Sequence, residues 1–145
     1  MYRVLVVDDE EDVLRAVKRR LERQGFEVEV ADSAEEGAIR IQTAETPFDV
    51  AVTDMRMEAP DAGIQILQAA FGRDVFAEVI VMTAYGNVKN AVECMKLGAF
   101  DYIEKNIPGV DVYEVITVKI EQAMDRRRHN LRAVRRWEHA AGRPV

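Results

Sequence analysis

The stretch that decides the fold is Val50-Ala51-Val52-Thr53-Asp54, a short apolar run that closes on a carboxylate. Three other runs have the same form. Val4-Leu5-Val6-Val7 closes on Asp8 and Asp9, Val79-Ile80-Val81-Met82 on Thr83, and Phe100-Asp101-Tyr102-Ile103 on Lys105. The first and third are continuous rather than alternating and rich in β-branched residues, as expected of parallel strands covered on both faces. Parallel strands would bring all of those terminal side chains to one edge of one sheet.

Between these runs lie helical patterns. The first opens at Asp9 or Glu10, keeps Val13, Val17 and Leu21 on one face and ends at Gln24-Gly25. Residues 26–31 alternate Phe26, Val28 and Val30 with Glu27 and Glu29, the pattern of a half-exposed edge strand. Ser33 with Glu36 predicts a capping box, followed by an inner stripe of Ala34, Ala38 and Ile41, and Pro47 ends that connection. Further helices are expected over 61–72, with Ile64, Leu67 and Phe71 inward, and over 87–97, with Val88, Ala91, Val92 and Met95 inward. Strand and helix thus alternate five times, the sign of an α/β fold with a five-stranded, doubly wound parallel sheet and right-handed crossovers. Ligands of such sheets sit outside the carboxyl ends of the strands.

The chain of 145 residues, 48% hydrophobic, suits one compact domain with an appendage. No apolar stretch approaches the ~20 residues that span a bilayer, and the start lacks the features of a signal peptide, so no membrane partner and a cytoplasmic location are expected. The single Cys94 excludes an internal disulfide framework and a multi-cysteine metal site, and reads as an ordinary small helix residue. The net charge of −6 is unevenly spread. Residues 121–145 hold seven Arg and three acids, against 13 basic and 23 acidic residues in 1–120. An acidic body argues against nucleic-acid binding across its surface and leaves that option to the tail.

Adjacent Asp8 and Asp9 close to Asp54 would repel one another in a partly desolvated crevice, a conflict that a hard divalent cation removes. The plainer reading of Asp8-Asp9-Glu10-Glu11 is a helix start, where the dipole favours acids by about 0.3–1 kcal/mol each. Thr83 alone reads as structural and Lys105 alone as a solvated surface residue. Their joint occurrence with the acids at four strand ends is far more specific.

On these residues the chain resembles a receiver domain of bacterial two-component response regulators over residues 2–122. The motifs are VLVVDDE (4–10), VAVTDMRM (50–57), VIVMTAYG (79–86) and GAFDYIEK (98–105). The stretch MTAYGNVKNAVECMKLGAFDYIEK is most similar to receivers of nitrogen-regulation-type transcriptional activators. The resemblance implies the flavodoxin-like strand order 2-1-3-4-5. It implies that Asp54 attacks the phosphohistidine of a sensor histidine kinase or phosphotransfer protein. It assigns Mg²⁺, with Mn²⁺ as a substitute, to Asp9, Asp54 and the backbone carbonyl of Arg56, with Asp8 acting through a metal-bound water. Thr83, Ala84 and Lys105 would contact the phosphoryl group, and Thr83 with Tyr102 would form the switch. The output face would be the fourth helix, fifth strand and final helix. Such a chain is a phosphoacceptor that assists its own phosphorylation and dephosphorylation rather than an enzyme with a separate substrate.

Three departures from the family pattern stand out. The loop Met57-Glu58-Ala59-Pro60-Asp61-Ala62-Gly63 has its Pro moved and one residue apparently added. The usual Lys-Pro pair is Lys105-Asn106, so a cis bond there is not expected, since a non-Pro cis form costs about 2.5–4 kcal/mol. Arg56 and Tyr85 occupy the positions that tune hydrolysis of the acyl phosphate, and their bulk predicts slow self-dephosphorylation.

No Gly or Pro interrupts residues 110–137, which predicts one long helix whose inner side carries Val112, Val115, Ile116 and Ile120. Residues 123–145 are expected to be a basic helical extension or linker, ending in a frayed Gly142-Arg143-Pro144. Arg126-Arg127-Arg128, Arg132, Arg135 and Arg136 there read first as a solvated helix. The other readings are a helix that dimerises and leads to an effector domain, or a contact for nucleic acid or an acidic partner. Spacing at Ile120, Met124, Leu131 and Val134 permits a weak coiled coil interrupted by Arg127. The alternative function is a constitutive interaction module that keeps the fold without phosphorylation. A Mg²⁺-dependent phosphohydrolase is a third, more distant reading, because no general acid or substrate cap is evident.

Overall fold

The computed structural model describes residues 2–58, 60–84 and 87–142. Ala59, Tyr85 and residues 143–145 lie outside them, and with them the expectations for Tyr85 and for part of the frayed end. Five strands, β1 (Arg3–Val7), β2 (Glu27–Ala31), β3 (Val50–Asp54), β4 (Glu78–Ala84) and β5 (Asp101–Lys105), form one parallel sheet in the order β2-β1-β3-β4-β5. The helices between and after them are α1 (Glu11–Arg23), α2 (Ala34–Thr43), α3 (Ala62–Arg73), α4 (Val88–Lys96) and α5 (Val112–Ala140). The expected order is therefore observed.

Alternation of side chains along each strand divides the core in two. Val4, Val6, Val52, Ile80 and Met82 point to the side of α1 and α5, where Leu14, Val17, Leu21, Ile116 and Ile120 are buried. Leu5, Val7, Ala51, Val79 and Val81 point to the opposite side, against Ile41, Ile66, Leu67 and Cys94 of α2, α3 and α4. Covering on both faces explains why the three central strands read as unbroken apolar runs, while β2, an edge strand, alternates.

Two helices turn differently from their sequence pattern. In α3 the buried residues are Ala62, Gly63, Ile66, Leu67 and Ala70, with Ile64 and Phe71 only partly covered. In α4 Ala91 and Cys94 are buried, whereas Val92 and Met95 are 42% and 37% exposed. Small residues make up the α4 contact and share that of α3 with Ile66 and Leu67. A Cβ at Gly63 would lie 3.1 Å from Met55 Sδ, and one at Gly37 of α2 would lie 2.8 Å from Ile66 Cδ1. Close approach, not bulk, selects the inward side here. Cys94 Sγ is 3.3 Å from Met55 Sδ, and burial pushes its thiol up to about 11.

The Lys105–Asn106 bond is trans, and Asn106 has φ +62°. Asn tolerates this left-handed region, whereas Pro is locked near −65°. Restoring the family residue by Asn106→Pro should therefore destabilise the fold by roughly 3 kcal/mol, and Asn106→Gly should be neutral or better. Urea unfolding of both variants checks this, and a Pro variant as stable as wild type would contradict it.

Helix α5 is continuous through residue 140 and stays packed on the body beyond residue 122. Ala123 and Met124 are buried. Beyond Asp125, the three arginines 126–128 cross the feet of successive strands. Arg126 pairs with Glu78, the first residue of β4, and stacks on Phe100; Arg127 bridges Asp49 and Asp74; Arg128 bonds the Tyr2 hydroxyl and Asp125. The solvated-helix expectation thus fails for Arg126 and Arg127, whose partners are carboxylates of the body, while the half-exposed Arg128 reaches the body only through Tyr2.

Candidate functional site

At the carboxyl edge of the sheet the strand ends converge as the runs imply. Asp8 follows β1 and is fully buried, its backbone N–H donating to the Ala31 carbonyl at 3.1 Å. Its Oδ1 accepts the Glu10 N–H at 2.9 Å, and its Oδ2 accepts Lys105 Nζ at 2.6 Å. Asp54, the last residue of β3, accepts the same ammonium at 3.1 Å. Glu10 Oε1 lies 3.5 Å from it. Lys105 is 8% exposed at the end of β5.

Burial dominates the electrostatics. It pushes the Asp8 and Asp54 carboxyls above the usual 3.8; Lys105 opposes this on both, and at Asp54 the Asp8 charge adds to the rise while the Arg56 N–H lowers it. For Lys105 burial works against the charge, but its bonds to Asp8 and Asp54 outweigh it and hold the ammonium charged. One cation therefore serves several carboxylates, and negative charge is in excess.

Oxygens of Asp8, Asp9, Glu10 and Asp54 lie within 4.8 Å of one another. A set of carboxylate oxygens carrying surplus charge, partly desolvated, fits a hard divalent cation such as Mg²⁺ and does not fit a soft metal. Asp9 is exposed at the rim, where it can offer an oxygen without losing a protein partner. Glu10 was assigned by its sequence only to the start of a helix. It is the N-cap position of α1 yet makes no side-chain cap, and its carboxylate turns to Lys105 instead.

A cleft of about 170 Å³ opens over Asp54, lined by Glu10, Met55, Arg56, Thr83, Ala84, Asn87, Lys105 and Asn106. Arg56 and Ala84 are exposed at this rim. Thr83 is buried, and its hydroxyl donates to the Asn87 carbonyl at 2.8 Å, so it is engaged with the start of α4 rather than with Asp54. Tyr102 is half-buried against the core on the α2, α3 and α4 side and borders a second cavity of about 300 Å³ between β5 and α5.

The raised carboxyls make a prediction for the metal-free protein. The native state binds their protons more tightly than the unfolded state, so their contribution to stability is greatest at low pH and is lost as pH rises from 3.8 through the raised native values. Asp54→Asn should remove part of that loss. In thermal unfolding across pH, the variant is expected to exceed wild type by a few degrees near pH 7 and to converge with it in acid. A variant less stable than wild type at pH 7 would contradict the sign.

Comparison with known proteins identifies the family of the chain. Residues 4–117 match the family model of the response regulator receiver domain. The chain is 35% identical to the acid tolerance regulatory protein ActR of Rhizobium meliloti (strain 1021) over 137 residues, 94% of this chain and 69% of ActR. It is 39% identical to the regulatory protein AtoC of Escherichia coli (strain K12) over 103 residues, 71% of this chain and 22% of AtoC. Among solved structures, a response regulator receiver domain protein from Clostridium thermocellum superposes with a TM-score of 0.77 at 32% identity, covering 88% of this chain and 98% of that one.

Proposed function

The chain belongs to the family of response regulator receiver domains of two-component signalling, and from that membership we propose that it is a phosphorylation switch with Asp54 as the phosphoacceptor. The observation that carries this reading is the shared ammonium: Lys105 Nζ bridges Asp8 and Asp54 at 2.6 and 3.1 Å below an open cleft.

An oxygen of the ionised Asp54 attacks the phosphorus of a phosphohistidine; the new P–O bond forms as the P–N bond breaks, and the imidazole leaves to be protonated from solvent. Asp9, Asp54 and the Arg56 carbonyl, with Asp8 acting through a water, would hold Mg²⁺, or Mn²⁺ in its place, which would supply positive charge to the transferring phosphoryl oxygens. Lys105 moves its bond from Asp54 to a phosphoryl oxygen and stays anchored by Asp8. The Ala84 N–H adds a further donor at the rim. Phosphorylation replaces one carboxylate by a group of higher charge with three strong acceptors. Thr83 then gives up the Asn87 carbonyl for a charge-assisted bond, Tyr102 turns inward, and the face of α4, β5 and α5 is switched. Arg56 and Tyr85 shield the acyl phosphate from water and slow its loss.

The partners, met in the cytoplasm, are a sensor histidine kinase or phosphotransfer protein, and an effector domain or protein, with homodimerisation on phosphorylation as one output. Direct nucleic-acid contact would fall to Arg132, Arg135 and Arg136, since Arg126 and Arg127 are paired with the body and Arg128 is bonded to Tyr2 and Asp125. Intact-mass spectrometry after incubation with acetyl phosphate and Mg²⁺ tests the reading. One phosphoryl addition, absent in Asp54→Ala, is expected. A folded, Mg²⁺-binding protein that takes no phosphoryl group from acetyl phosphate or from any sensor kinase would instead be the constitutive module.

A further inference from the structure

Glu58 belongs to the loop that departs from the family pattern, and its carboxylate lies across the start of α2. Both oxygens accept the Ala34 N–H, Oε1 at 2.9 Å and Oε2 at 3.2 Å, across 24 residues of sequence. That amide is one of the donors a helix leaves unsatisfied in its first turn, and the helix dipole favours a carboxylate there. The Ser33 hydroxyl takes another, the Glu36 N–H at 3.1 Å.

Helix α2 is a firm anchor. At its far end the Arg73 guanidinium donates to the carbonyls of Ile41 and Gln42 at 3.0 Å and of Ala44 at 2.5 Å. In its middle, Gly37 sits so close to Val7 and Ile66 that an added side chain would have to displace theirs. The helix is thus held at both ends by residues flanking α3 and cannot shift easily.

Two residues before Glu58 lies Arg56, and the residue before it, Met55, donates its backbone N–H to the Met82 carbonyl of β4 at 2.7 Å. The Arg56–Met57 peptide is therefore held between an anchor of Met55 on β4 and an anchor of Glu58 on α2. Among the described residues, the next backbone tie to the end of β3 is the Gly63 N–H to the Met55 carbonyl, after the loop has already turned. We propose that Glu58 is a positioning residue: by fastening the loop to α2 it fixes the direction of the Arg56 carbonyl and so raises the affinity of the acidic site for a divalent cation. This rests on the reading of the site as a Mg²⁺-dependent phosphoacceptor. It gives the altered loop a role, replacing a rigid Pro by a side-chain tether.

The test compares the full chain with Glu58→Ala and Glu58→Gln. Mg²⁺ dissociation constants are read from amide chemical shifts of Asp54 and Arg56, and Tm is measured without metal. Glu58→Ala should weaken Mg²⁺ binding by about tenfold, the lower end for loss of an outer-shell support, and speed exchange of the Ala34 amide. Glu58→Gln keeps an oxygen that accepts the same N–H and should stay within about twofold of wild type. A lowered Tm with unchanged Mg²⁺ affinity would show a helix cap only and overturn the proposal, as would a Gln variant as weak as the Ala variant. Wild-type protein that takes no phosphoryl group, yet shows the Glu58-dependent Mg²⁺ affinity, would remove the phosphoacceptor reading and leave the positioning role standing.

Discussion

Lys105→Ala is expected to slow phosphorylation of Asp54 by about a hundredfold or more at saturating Mg²⁺, the scale on which a preorganised charge in a partly desolvated site acts. The ammonium is 8% exposed and stands between Asp8 and Asp54, where charge grows on the transferring group. Its removal leaves a fully buried Asp8 with the Glu10 N–H and no counter-charge. Breaking one side of a buried pair costs about 3–5 kcal/mol, so the metal-free variant should also lose stability, and added Mg²⁺ should recover part of it. Lys105→Arg is not a conservative rescue, because a planar fork cannot occupy the point between two carboxylates that a compact ammonium fills. Initial rates with acetyl phosphate and thermal unfolding with and without Mg²⁺ check both statements. A variant phosphorylated within threefold of wild type would remove Lys105 from the mechanism.

Arg127→Ala should destabilise the fold by about 2–4 kcal/mol, a value set below the fully buried case because the groups keep some solvent contact. Arg127 Nε meets Asp49 Oδ1 at 2.8 Å and Nη2 meets Asp74 Oδ2 at 2.9 Å, with the three side chains 12%, 20% and 16% exposed. Burial opposes the guanidinium charge, yet the two carboxylates more than compensate and hold its pKa above the ordinary value. Asp49 also accepts the Arg3 backbone N–H, so truncation of Arg127 disturbs the feet of β1 and β3 together. Urea unfolding measures the loss. A change under about 0.5 kcal/mol, the range of ordinary surface substitutions, would mean that the helix extension is not fastened to the body. The same contacts fasten α5 to the body as far as Arg127.

These two residues illustrate what the sequence made legible. Lys105, Asp8 and Asp54 could be placed together because parallel strands end on a common edge, so a run's last residue is located by topology alone. Arg127 could not, since its partners lie 78 and 53 positions away at the opposite edge, and a run of three arginines carries no periodicity that points inward. Its interruption of the coiled-coil pattern has a different meaning in the structure: Ile120, Met124 and Arg127 are the side of α5 that meets the body. The α3 and α4 stripes were misjudged for a related reason. A hydrophobic pattern weights large side chains, whereas Gly63, Ala70, Ala91 and Cys94 form the contact because they let the helices come close. Thr83 was located correctly at a strand end, but its bond to the Asn87 carbonyl depends on the loop that follows and on no spacing. Glu58 was visible only as a departure from a pattern.

The most direct measurement reduces the phosphorylated protein with borohydride, which converts an acyl phosphate of aspartate to homoserine, and sequences the peptides. Homoserine at position 54 and at none of positions 8, 9 or 10 is the result predicted by the geometry of the cleft. Homoserine at Asp8 or Asp9, or a phosphoryl group stable to reduction on another residue, would contradict the account.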